Sequence, residues 1–179
     1  MLRTRLCDLL GIDVPIIAAP MGAPITGPEL AAAVSNAGGL GIMSFGGYPP
    51  PLLRRQIRRL RELTDRPFGV NVLLSGVRLP VPQDEVVAVC LEERIPVLSF
   101  FWGDPSPYVA RAHAAGITVL HQVGSVAAAV HAVRAGVDVV IAQGVEAGGH
   151  VEGQVATMVL VPRVVDAIAP VPVVNVRIF

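Results

Sequence analysis

The chain has 179 residues, 53% hydrophobic, 16% charged and only 4% aromatic, enough apolar material for one domain with a sizeable core. Fourteen basic residues balance fourteen acidic ones, so no global field draws nucleic acid or an anionic membrane. Every basic residue is Arg, which excludes lysine Schiff-base chemistry and a P-loop lysine.

The opening stretch, MLRTRLCDLLGIDVPIIAAPMGAP, is interrupted by Asp8, Gly11 and Asp13 and does not read as a secretory signal. No run reaches the roughly 18 uninterrupted apolar residues of a spanning helix. Cys7 and Cys90 lie far apart and outside any CxxC pattern, so both are expected to be reduced and structural. A soluble cytoplasmic protein is the expectation.

Short β-rich runs then alternate with helical stretches. The pattern predicts a strand over Pro15–Pro20, a helix over Pro28–Asn36, a strand over Leu40–Phe45 and a helix over Pro51–Leu63. It continues with strand Phe68–Leu74, helix Asp84–Glu93, strand Val97–Phe101, helix Pro105–Ala115 and strand Thr118–Gln122. Helix Val126–Ala135, strand Val139–Ala142, a helix over roughly Met158–Ile168 and strand Val171–Val176 complete the series. Thr26 is placed to cap the first of these helices, with Pro28 in its first turn, while Asn36-Ala37-Gly38-Gly39 stops it. Ser125 opens a later helix, and Asp104 with Pro105 another.

Alternating βα units imply a parallel sheet with right-handed crossovers. A dinucleotide-binding doubly wound sheet should carry GxGxxG after its first strand. Here that strand runs into Ala19-Pro20-Met21-Gly22-Ala23-Pro24. The regular repeat favours an α/β fold of the TIM type, a (β/α)8 barrel. It would be incomplete, with about seven parallel strands, since such barrels need ~250 residues. Residues 1–179 are expected to form a single domain lacking the last βα unit. The arginines Arg54, Arg55, Arg58, Arg59 and Arg61 recur at helical spacing and are expected to form a solvated outer face without function.

In such a barrel the loops after the strands gather at one rim, where sites are built. The expected strand ends bring there Pro20 and Met21, then Ser44-Phe45-Gly46-Gly47, Asn71, Phe101-Trp102, His121-Gln122 and Gln143-Gly144. Asn71, Gln122 and Gln143 are amides, which donate and accept hydrogen bonds. They suit the edge of a planar heterocycle such as a flavin, although each taken singly also reads as a satisfied core amide. Of His121 and Gln122, successive on a strand, one points inward and the other outward, and Gln122 is expected at the rim.

The sharpest local signal is Glu146-Ala147-Gly148-Gly149-His150. Consecutive glycines let backbone N–H groups approach a ligand, and a histidine held beside them suits abstraction of a weakly acidic C–H proton. The competing reading is a surface loop with an incidental histidine. His113 and His131 fall within helices and are expected to be structural. No pair of histidines has metal-ligand spacing, so no metal site is expected.

The segments PIIAAPMGAPITGPELAAAVSNAGGLGIMSFG, PFGVNVLL and VIAQGVEAGGHVEG resemble, in this order, nitronate monooxygenase (2-nitropropane dioxygenase) over about Val14 to Val174. The resemblance implies a barrel binding FMN at the strand C-termini. Pro20, Met21, Asn71, Gln122, Gln143 and the Ala147-Gly148-Gly149 backbone would hold the flavin ring. His150 matches the catalytic histidine and would deprotonate nitroalkanes. The implied reaction oxidises an alkyl nitronate with O2 to a carbonyl compound and nitrite. The alternatives are a flavin-dependent enoyl-ACP reductase-like oxidoreductase, which also carries a GGH loop, or a non-catalytic truncated fragment.

The sequence departs from that pattern after Val173-Val174, where an Ala-Gly-Gly-Ile-type turn is expected and Asn175-Val176-Arg177-Ile178-Phe179 stands instead. The loops that usually clamp phosphate in barrels follow strands seven and eight, and Arg177 is not expected to replace them. Open barrel edges predict weak monomer stability, aggregation or pairing with another copy.

Overall fold

The computed structural model of the chain describes residues 3–22, 25–44, 47–74 and 80–176. Ala23, Pro24, Phe45, Gly46, Arg177, Ile178 and Phe179, named above, lie outside the described residues. Six strands, β1 (Gly41–Ser44), β2 (Phe68–Leu73), β3 (Val97–Phe101), β4 (Thr118–Val123), β5 (Val139–Gln143) and β6 (Val173–Val176), form one sheet in chain order. Every neighbouring pair is parallel. The helices α1 (Arg5–Leu10) and α2 (Pro28–Asn36) precede β1. The helices α3 (Pro50–Leu63), α4 (Gln83–Glu92), α5 (Ser106–Ala114), α6 (Val126–Arg134) and α7 (Thr157–Ile168) make the crossovers between successive strands. Parallel strands in unbroken chain order, with no reversal, build the wall of a barrel rather than a doubly wound sheet. The fold is an incomplete TIM-type barrel.

Strand side chains alternate between two faces, and the sheet separates two cores accordingly. Met43, Val70, Val72, Leu98, Phe100, Val119, Val140 and Ala142 face the helices and pack with Leu53, Ile57, Leu60, Val86, Cys90, Val109, Ala132, Leu160 and Val164. Ile42, Val97, Leu120, Val139 and Ile141 face the concave side and meet Leu6, Cys7, Leu10 and Ile12. The short α1 therefore plugs the barrel at the N-terminal ends of its strands. Val174 and Val176 of β6 and Ile17 of the first segment pack on this same inner cluster, from opposite ends of the arc. Arg5 Nη1 donates to the Pro170 carbonyl at 3.0 Å, tying the plug to the segment that enters β6.

Three expectations change. Pro15–Pro20 is not a strand of its own but pairs through a single bridge, Ile17 to Leu40, just before β1. The physical reason is that prolines bound it on both sides and supply no N–H to a ladder. Helix α1 is an addition, and Gly11 ends it in the left-handed conformation, its N–H bonded to the Cys7 carbonyl. Thr26 does not cap α2, whose N-cap residue is Gly27; its hydroxyl is taken by the Met21 backbone instead. Ser125 does cap α6, accepting from the Ala128 N–H at 3.1 Å, and Asp104 Oδ1 accepts from the Ser106 N–H at 2.9 Å.

The arginines of α3 do more than face solvent. Arg54, Arg58 and Arg61 converge on the carboxylate of Glu93, just past α4, at 2.9, 3.2 and 2.9 Å. Burial raises the pKa of this carboxyl, but the hydrogen bond from Arg54 and the charge of Arg58 outweigh it and hold it below its usual range. One nearly buried acceptor thus pins α3 to α4 on the outside of the barrel.

His121 lies on the helix side of β4, beside the inward Leu120, and is 3% exposed. Burial pushes its pKa down to about 4, opposed by a backbone hydrogen bond at Phe100 and then by the charge of Asp104, with His131 adding a small push downward. A folded-state pKa below the unfolded one means that the unfolded chain takes up the proton first as the pH falls. This contribution is complete above about pH 6.5 and is lost toward pH 4, a loss of roughly 3 kcal/mol. Equilibrium unfolding in urea at a series of pH values should show that loss in the native chain and a much smaller one in His121→Leu. A second expectation concerns the plug: Leu10→Ala should lower stability by about 2–4 kcal/mol, read from the urea midpoint.

Candidate functional site

Along the concave face the residues change from apolar to polar toward the strand C-termini. Ile42 is followed on the same face by Ser44, Gly69 by Asn71, Val97 by Ser99, Leu120 by Gln122 and Ile141 by Gln143. The register sets Ser44 opposite Asn71 and Asn71 opposite Ser99. Gln122 lies between Phe101 and Ile141. Asn71 and Gln122 are half-buried, and neither amide side chain is tied by a hydrogen bond among the described residues. Ser99, which the sequence reading did not single out, is a buried member of this tier. Its signal was a polar residue within an otherwise apolar strand, in register with Asn71.

The loop after β5 rises over that tier. Gln143 is buried, and its Nε2 donates to the His150 carbonyl at 2.9 Å, so one of the three amides holds the histidine's own backbone. Val145 N–H donates to the Val155 carbonyl at 3.0 Å, closing the loop on itself. Both carboxylate oxygens of Glu146 accept from the Thr157 N–H, at 2.8 and 3.0 Å. This places an anion at the start of α7, where the helix dipole favours it. Ala147 is buried, Gly148 half-buried, and Gly149 exposed with φ of 77° and open space where a side chain would stand.

The His150 imidazole is exposed and meets the Trp102 indole at right angles, with ring centroids 5.9 Å apart. Trp102 in turn stacks on Phe101 at 4.4 Å. On the opposite side of the arc, the Met21 side chain is 45% exposed. Its backbone N–H is already committed to Thr26 Oγ1 and the Ala19 carbonyl, both at 2.9 Å. Met21 therefore offers a ligand its side chain rather than that N–H, and Pro20 beside it is half-buried. His113 and His131 sit outside the barrel, paired with Asp138 and Asp104 at 2.9 Å each. Hydrogen bonds from Ser106, then His131, hold the Asp104 carboxyl at about 2.

The arrangement brings a polar tier at the strand C-termini together with an exposed imidazole whose backbone Gln143 fixes. Among the described residues no cluster of three or more His, Cys, Asp or Glu could hold a metal ion. No helix among them is long and apolar enough to cross a membrane. Two surface depressions, of about 370 and 230 Å³, open at the N-terminal ends of the strands, away from His150.

The family model described as nitronate monooxygenase matches residues 3–80 and 75–176. The (3aS,4S,5R,7aS)-5-hydroxy-7a-methyl-1-oxo-octahydro-1H-indene-4-carboxyl-CoA dehydrogenase of Rhodococcus jostii is 38% identical over 173 residues, 97% of this chain and 47% of its own. A nitronate monooxygenase of Paraburkholderia phytofirmans is 37% identical over 183 residues, 83% of this chain and 50% of its own. Among solved structures, FabK from Thermotoga maritima superposes with a TM-score of 0.90 at 44% identity, covering 98% of this chain and 54% of that one. The nitroalkane oxidase of Streptomyces ansochromogenes gives 0.86 at 33% identity, covering 96% and 60%. The chain spans about half the length of the curated relatives it matches.

The loop bearing the histidine is also held by a crossing of two glycines. A Cβ on Gly153 would stand 2.4 Å from the Gly124 carbonyl oxygen, and one on Gly124 would stand 2.5 Å from the Gly153 nitrogen. Backbone meets backbone there, so no side chain can yield. Gly153→Ala should therefore cost about 1–3 kcal/mol and speed amide hydrogen exchange across the β5–α7 loop, both measurable on the purified chain.

Proposed function

The chain belongs to the nitronate monooxygenase family, and on that premise we propose that it forms the ring-binding and proton-transfer part of an FMN site that oxidises alkyl nitronates. The products are a carbonyl compound and nitrite, with O2 as the oxidant. The observation that carries this reading is the His150 imidazole, exposed over a tier of inward amides while Gln143 holds its backbone.

The residues present fit the ring of a flavin. Asn71 and Gln122, half-buried and without side-chain partners among the described residues, offer donors and acceptors to its polar edge. Open space over Gly149 and over Gly22 leaves backbone uncovered beside that edge. The Met21 side chain supplies an apolar contact, and Pro20 and Ala147 shape the wall. When bound, the flavin would supply the two-electron acceptor the oxidation requires and a route for those electrons to O2. His150 would remove the α-proton of a neutral nitroalkane, a step a preformed nitronate does not need. Gln143 and Glu146 keep the loop in place during that transfer through the bonds described above.

A second reading has its own support, the 38% identity to a dehydrogenase of an acyl-CoA across nearly the whole chain. In that reading the same histidine and amide tier would serve hydride or proton transfer beside a thioester carbonyl. The outer edge of β6 has no strand partner among the described residues, and this reading of the chain includes self-association through that edge. Size-exclusion chromatography should then show species larger than an 18.7 kDa monomer.

The deciding experiment adds FMN to the purified chain, follows quenching of flavin fluorescence, and then supplies propyl-2-nitronate or 2-nitropropane under air. Quenching and nitrite release are expected. In His150→Ala, kcat/KM for 2-nitropropane should fall by about 10²–10⁴-fold, with a smaller loss for the nitronate. Flavin turnover with an acyl-CoA and none with either nitro compound would favour the second reading. Absence of flavin binding would sink both for this chain.

A further inference from the structure

Trp102 is the single tryptophan of the chain and the nearest aromatic neighbour that the structure gives to His150, at 5.9 Å and 90°. Three features set it apart from a packing residue. Its φ is 60°, a left-handed backbone that a bulky side chain rarely adopts. The following Gly103, at φ 65°, is pressed against the Leu74 carbonyl, where a Cβ would stand only 2.2 Å away, so the turn is clamped. Its indole Nε1 is enclosed by protein and has no hydrogen-bond partner among the described residues. Strained backbone and orphaned polar groups persist where a function repays them, and buried N–H groups without an acceptor are few in folded proteins.

We propose that Trp102 is a substrate-binding residue of this site, its indole N–H donating to an oxygen of the nitronate seated beside His150. The inference rests on the reading of His150 given above. An indole N–H is a donor only, so its partner must be an acceptor, and the two oxygens of a nitronate are planar, charged acceptors adjacent to the carbon that His150 addresses. One face of the indole rests on Phe101 at 4.4 Å. Because the N–H is enclosed, the ligand reaches it when the indole turns out from under its cover toward the imidazole. A flavin carbonyl offers the same acceptor chemistry, and the test separates the two.

One tryptophan gives one indole N–H signal in the 15N-labelled chain. That signal is followed first with FMN and then with propyl-2-nitronate under anaerobic conditions. A downfield movement on adding the nitronate, and not on adding FMN, is expected. Trp102→Phe keeps a ring in place but removes the donor. Its KM for the nitronate should rise about tenfold, with kcat within about twofold and FMN affinity unchanged. A signal that stays still, or that moves with FMN alone, overturns the role of Trp102, as does an unchanged KM in Trp102→Phe. Nitrite release with an unmoved signal removes this inference and leaves the proposed function standing. A moved signal without nitrite release keeps Trp102 as an oxyanion-binding residue and removes the proposed function.

Discussion

The two-residue period of the strands is the constraint on which the rest of this structure depends. In a parallel sheet that curves one way, it assigns every strand residue to the helix layer or to the concave side. The helix layer is apolar from Val70 through Phe100 to Ala142, with His121 of β4 as its buried polar exception. The concave side is instead divided between an apolar end and a polar end. Ile42, Val97, Leu120, Val139 and Ile141 seal one end against α1. One step further along each strand, Ser44, Asn71, Ser99, Gln122 and Gln143 supply a polar floor. Fold and site are thus two stretches of the same alternating pattern.

The rim above that floor is built from contacts of two opposed kinds. Where backbone crosses backbone, at Gly124 with Gly153 and at Gly144 with Thr157, there is no room for a Cβ. Those crossings, with Gln143 and Glu146, fix the loop that carries His150. At Gly149 and Gly22 nothing stands within 4 Å of where a Cβ would be. Rigid support below and uncovered backbone above is what a site needs to hold a ligand without rearranging for it. The same loop would be a poor site if its glycines were exchanged between these two roles.

Much of this was legible in the sequence, because the strands β2 to β5 are apolar runs bounded by clear turn residues and the prolines and glycines between them mark where helices start and stop. The match between Val97–Phe101 as expected and as observed rests on that punctuation. What escaped was decided by tertiary contact. Arg5–Leu10 is too short for a periodic signal, and it becomes a helix because its leucines close the barrel. Thr26 had the spacing of a cap, but Met21 lay within reach of its hydroxyl. The arginines of α3 looked solvated because Glu93, their shared partner, is some thirty residues away. Trp102 was visible at a strand end, yet its left-handed backbone and unpartnered N–H are properties of the folded turn. Sequence likewise gave the positions of Asn71, Gln122, Gln143 and His150 along the chain, but not that Gln143 is spent on holding His150.

His121 and Gln122 show how narrow the choice is. They are neighbours on β4, and only the register decides which enters the concave tier. A slip of one residue would bring the imidazole inward and send the amide into the helix layer. The observed register is held by Leu120 in the inner core and by Val119 and Val123 in the outer one. The consequence for the histidine is large: in the outer layer burial keeps it neutral down to about pH 4, with Nδ1 unpartnered. Such a group is silent at neutral pH and costs stability in acid, whereas His150 stands exposed on a pinned loop. The chain carries two histidines close to its polar tier, and the packing of three aliphatic side chains keeps one of them, His121, in the outer layer.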